Sequence, residues 1–222
     1  MIHPDFFPFF RALEQNNSKA WFNPRKAEYK AIRQVFEEGL DEMAVEIAEF
    51  DDRVERFLDD VKAVKVFRIY KDSRFSKSEV ALKTNISGYV TSGPEGPFYY
   101  VQVGPDDCFV GGGIYQPSSA LLQAIREEVA ESYEGLTEIL ADEEFKTMFP
   151  EGLSSEYEVK TAPRGFSVDD PAIAYLRKKS FTVRHHFTDE EAMSDDFYEQ
   201  VIRVFEVQHR LHRYLARAFG RM

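Results

Sequence analysis

Between Lys62 and Lys83 the chain places seven basic residues against Asp72 and Glu79, within 222 residues of formal net charge −11. Arg68, Arg74, Ser76, Lys77 and Lys83 are the side chains of that stretch suited to an anion. Arginine offers a planar fork to phosphate or carboxylate, lysine a point charge and serine an additional donor. Positive charge concentrated in an acidic chain points to a small ligand bearing phosphate or carboxylate. Asp72 is the carboxylate nearest in sequence and the candidate acid/base residue. Tyr70 and Trp21 are candidate pocket walls, because an aromatic ring stacks on a planar ligand and a phenol donates to phosphate. The competing reading is an internal ion-pair network in an interaction or scaffold module, with Arg68 matched by a carboxylate of the chain.

Other chemistries fit less well. The chain has no P-loop, dinucleotide-binding glycine fingerprint or nucleophile elbow. Gly111-Gly112-Gly113 reads as a bulge or a close backbone approach on a strand. Glu206, His209 and His212 have the spacing of half a carboxylate–histidine di-metal site, but no second such helix exists, so no metal site is expected. Cys108 is the single cysteine, which excludes an intrachain disulfide and suggests a cytoplasmic setting. No basic start precedes an apolar run, and no apolar stretch is long enough to span a bilayer. The negative charge disfavours nucleic acid and membranes as partners. No cofactor is indicated, and the oligomeric state is left open.

The elements that must position these residues follow from periodicity. Phe6, Phe9, Phe10 and Leu13 recur at helical spacing after Asp5, a candidate N-cap. A long helix is expected from Pro24 to about Phe50, its outer face acidic. The middle reads as sheet: Val64–Tyr70, Ile86–Val90, Tyr99–Val103 and Cys108–Tyr115, the last two joined as a hairpin through Gly104-Pro105-Asp106-Asp107. Apolar residues fall on both faces of Val64–Tyr70, so that strand is expected to be covered on both sides with Arg68 among buried neighbours. Helices are expected after Ser118, Asp142 and Asp170-Pro171. A strand Phe181–Phe187, a capping box at Thr188 and a last helix over about 194–218 complete the chain. On that last helix Arg203, Arg210 and Arg217 recur two turns apart, as a basic outer face or as partners for the acidic helices. Helices, then consecutive strands, then helices again predict an α+β fold with a mostly antiparallel sheet, in a single domain over 1–222.

Several of these segments resemble one known family. Phe67-Arg68-Ile69-Tyr70-Lys71-Asp72-Ser73-Arg74-Phe75-Ser76-Lys77, with Lys83-Thr84 after it, looks like the central signature of the bacterial and fungal domain of unknown function 2461. Asn16-Asn17-Ser18-Lys19-Ala20-Trp21-Phe22 resembles its N-terminal motif. Tyr99-Tyr100-Val101 through Gly111-Gly112-Gly113-Ile114-Tyr115-Gln116-Pro117 resembles its hairpin, and Pro163-Arg164-Gly165-Phe166 and Lys179-Ser180-Phe181 its later motifs. Where the family usually has a Thr-Pro-Tyr-like stretch and a Trp, this chain has Val80-Ala81-Leu82 and Tyr115. The resemblance implies a single domain and names no activity.

Overall fold

The computed structural model describes residues 2–58, 63–71, 82–154 and 156–222. The N-terminal helices are α1 (Phe6–Gln15), α2 (Lys19–Phe22), α3 (Lys26–Phe50) and α4 (Asp52–Glu55). The strands β1 (Val64–Val66), β2 (Ile86–Thr91), β3 (Phe98–Val103) and β4 (Cys108–Ile114) follow. Then come α5 (Ser119–Glu131), α6 (Tyr133–Ala141), α7 (Glu143–Met148) and α8 (Ile173–Leu176). Strand β5 (Phe181–Phe187), α9 (Asp189–Ala192) and α10 (Phe197–Leu215) complete the order. The five strands form one antiparallel sheet in sequential order, β1-β2-β3-β4-β5, and the fold is α+β.

The caps show why the elements begin where they do. Ser118 accepts from Leu121 N at the start of α5, and Asp142 from Phe145 N at the start of α7. Thr188 and Glu191 form a reciprocal capping box on α9. Three expectations are corrected. Asp5 makes no side-chain cap bond to α1. Asn23–Arg25 form a 3₁₀ turn before α3, so Pro24 precedes the α-helix rather than opening it. Asp170 accepts from Ala172 N in a local turn, and α8 starts only at Ile173, because the carboxylate closes its own turn rather than a helix.

The chain divides into two compact units. The first comprises Met1–Val90, Tyr100–Val110 and His186–Ile202; Phe10, Phe22, Ile32, Phe36, Met43 and Val101 are among its buried residues. The second comprises Thr91–Tyr99, Gly111–His185 and Arg203–Met222, with Tyr99, Ile125, Phe145, Phe181, Phe205 and Tyr214 buried.

Strand β1 is shorter than its composition suggests. Its ladder with β2 pairs Val64 with Val90, Lys65 with Tyr89 and Val66 with Gly88, and it lies at the edge of the sheet. Beyond Val66 the strict alternation of faces lapses. Arg68 is therefore exposed, not set among buried neighbours, while Ile69 is buried. Helix α3 covers one face: a Cβ on Gly88 would stand 2.6 Å from Leu40 Cδ2.

Candidate functional site

Beyond β1 the chain runs on through Phe67–Lys71, and the described residues resume at Leu82. Tyr70 and Leu82 form an antiparallel bridge, and Lys83 N donates to Ile69 O at 2.7 Å. Asn17, in the turn between α1 and α2, clamps the same bridge. Its Nδ2 donates to Leu82 O at 3.0 Å, and Leu82 N donates to its Oδ1 at 3.3 Å. From α3, Arg33 Nη1 donates to Phe67 O at 3.0 Å. The backbone on both sides of residues 72–81 is thereby held by three elements.

This clamp brings Arg68 and Lys83 together. Lys83 is half-buried, and its pKa is lowered from 10.5, first by burial and then by the like charge of Arg68. Its Nζ lies 5.0 Å from the Phe67 ring centroid. Lys65, exposed on β1, places its Nζ 5.6 Å from Phe67 and 5.9 Å from Tyr89. Among the described residues, no carboxylate forms an ion pair with either lysine. Both lysines thus stand against aromatic rings, Lys83 beside the like charge of Arg68.

Tyr70 is exposed beside the bridge, and its ring lies 6.2 Å from that of Phe22. Trp21 is half-buried; it packs on Phe9 at 5.7 Å and carries the Arg25 guanidinium 4.4 Å above its ring. Helix α2 thus turns Phe22, rather than Trp21, toward Tyr70. Asp72, Arg74, Ser76 and Lys77 lie outside the described residues. Sequence reasoning counted Lys65 only among the seven bases, quoted Asn17 and Phe67 only within family motifs, and missed Arg33. Arg33 carried a signal, since it interrupts the apolar stripe between Ile32 and Phe36.

Several other charged clusters among the described residues are matched internally. On α10, Arg203 pairs with Glu144 and Glu206, and Arg210 with Asp142 and Glu144. Arg221 binds the buried Glu128 at 2.7 Å and Glu131 at 2.8 Å. The C-terminal arginines therefore include several partners of the acidic helices within the chain. His209 Nδ1 lies 3.0 Å from the Tyr99 hydroxyl, and His212 Nε2 lies 2.7 Å from Gln208 Nε2. Glu206, His209 and His212 thus have separate contacts, and no cluster able to hold a metal ion occurs among the described residues. Cys108 is buried, donates to Gly104 O at 3.2 Å, and has its thiol pKa pushed up to about 11 by burial.

A cleft of about 480 Å³ in the second unit is lined by Tyr175, Arg177, Lys178 and Glu158, among others. Lys178 Nζ there already donates to Glu158 at 2.8 Å and Ser154 O at 3.0 Å, so its charge is satisfied. The Arg68–Lys83 region has the stronger claim. No helix among the described residues is long and apolar enough to cross a membrane.

No curated protein and no solved structure matches the chain. A family model described as "Conserved hypothetical protein (DUF2461)" matches residues 5–214, nearly the whole length and every motif quoted above. The central signature, with Arg68, Tyr70 and Lys83 around the bridge, lies within that match, and the chain belongs to the DUF2461 family.

Proposed function

We infer that the protein binds a small phosphate- or carboxylate-bearing molecule at the Arg68–Lys83 site. The observation that carries this reading is Lys83, a half-buried cation that lies beside the like charge of Arg68 and pairs with no carboxylate among the described residues. Such a charge costs stability unless an anion joins it. Arg68 and Lys83 grip the anion in this reading, and Lys65 adds charge at the rim. Tyr70, backed by Phe22, walls the approach, while Trp21 lies on α2 against Phe9 and Arg25. Arg74, Ser76 and Lys77 contribute further donors, and Asp72 is the acid/base residue if the bound molecule is also transformed. A cytoplasmic setting suits both the lone Cys108 and the abundance of phosphorylated metabolites there. The alternative, a docking module, draws less support, because Arg203, Arg210 and Arg221 already engage acidic groups within the chain.

The test is a thermal-shift screen of wild type, Lys83→Met and Arg74→Ala against sugar phosphates, nucleotides and dicarboxylates. A ligand at 100 times its Kd stabilises by about 2.7 kcal/mol. At this size that raises Tm by about 5–10 °C. The expected result is such a rise for one anion class, lost in both variants. No shift with any anion would overturn the reading and return the cluster to a structural role.

A further inference from the structure

The sheet face beside Lys83 carries a row of rings. Along β3, Val101 and Val103 are fully buried, whereas Tyr100 and Gln102 between and beside them are half-buried. On β4, Cys108 and Val110 are buried and Phe109 is half-buried. The period-two alternation thus puts Tyr100 and Phe109 on the less covered face. Tyr89, one residue from the α3-facing Gly88, lies on that face as well.

These rings form a continuous series within the first unit. Phe67 lies 5.7 Å from Tyr89 and 6.4 Å from Tyr100. Tyr100 and Phe109 are stacked at 5.4 Å with 29° between their planes. Phe109 reaches the exposed His186 at 5.8 Å. Lys83 and Lys65 stand over the Phe67 end, so the positive charge is concentrated at one end of the row, whose rings at that end are tilted by 54–58° to one another. Gln102 adds an amide beside it, accepting from Tyr100 OH at 2.9 Å.

We propose that the anion recognised at this site is a nucleoside phosphate, with its phosphate at Lys83 and Lys65 and its base on the ring row. The proposal rests on the anion-site reading above and adds the ring. Aromatic platforms accept any base because every base has a π-face. A single phosphate end matches one short cluster of cations. A polynucleotide would need a longer basic track, and the net charge of −11 opposes it.

Isothermal titration of the wild type with adenosine monophosphate, ribose 5-phosphate, inorganic phosphate and adenosine separates the contributions. The expected result is adenosine monophosphate binding roughly 5- to 100-fold more tightly than ribose 5-phosphate or phosphate. Tyr100→Leu and Phe109→Leu keep apolar bulk while removing the ring. Each is expected to erase much of that advantage and leave inorganic phosphate affinity unchanged. Equal affinity for adenosine monophosphate and ribose 5-phosphate in wild type overturns the ring proposal while the anion site stands. No binding of any phosphate overturns both. A short single-stranded oligonucleotide binding more tightly than the mononucleotide, with a steep salt dependence, overturns the small-ligand assignment.

Discussion

Lys83 holds its charge where burial and Arg68 both oppose protonation, and this has a consequence for stability. In the unfolded chain its pKa returns to the ordinary 10.5. The folded pKa is lower, so the cost is complete where Lys83 is protonated in both states. It fades as pH rises through the folded value toward 10.5, and stability contributed by this group increases over that window. Lys83→Met is therefore expected to raise the Tm of the ligand-free protein by about 1–2 °C at pH 7, a small effect because water screens a half-exposed group. The gain should vanish near pH 10.5, and a Tm that falls at neutral pH would show that Lys83 has a stabilising partner. Cys108 gives a second residue-scale expectation. With its thiol pushed up to about 11, almost no thiolate exists at pH 8. Modification by a disulfide reagent should wait for unfolding, and rapid labelling of native protein would contradict the buried placement.

At the scale of elements, the hairpin and the capping box make separable demands. Gly112 has φ +139°, and an added Cβ would stand 1.9 Å from Phe98 O. Gly113, at φ +126°, meets Phe181 O in the same way. The glycine run is a place where backbones approach too closely for side chains, not a phosphate-binding loop. Gly112→Ala should cost about 3 kcal/mol or more and lower Tm by roughly 6–12 °C. Thr188→Ala removes one cap and should cost only about 1 kcal/mol. Equal Tm losses in the two variants would mean that strain at Gly112 is relieved by a shift of β4. Arg221 and Arg203 give a contrast of the same kind. Arg221 neutralises the buried Glu128, whereas Arg203 pairs at the exposed surface. Arg221→Ala should therefore lower Tm more than Arg203→Ala.

At the scale of the molecule, each compact unit draws on three chain segments, and β3, β4 and β5 each contribute residues to both. Neither unit is a continuous piece of chain that could fold first and alone. Calorimetry is therefore expected to give one unfolding transition, with calorimetric and van't Hoff enthalpies equal. Two resolved transitions would count against a single domain over 1–222. The net charge of −11 acts at this scale too, since a chain of that charge disfavours large polyanions unless its positive charge is locally concentrated.

Strong local patterns made much of the fold legible in the sequence. The hairpin and its four-residue loop, β5, the capping box and most helices are written in short-range signals that neighbouring residues supply. Helix α6 was not expected, because Ser132 ends α5 and α6 begins at the next residue without a side-chain cap. The basic cluster was visible as composition, and the family resemblance in ordered motifs from Asn16 to Phe181. What required the tertiary structure was the company each cation keeps. The end of the β1 ladder at Val66 exposed Arg68. The bridge at Tyr70 and Leu82 brought Lys83 beside it, and the C-terminal arginines found carboxylates many residues away. Charge pairing and ring stacking depend on distances through space, which sequence spacing specifies within one helix or strand but not between them.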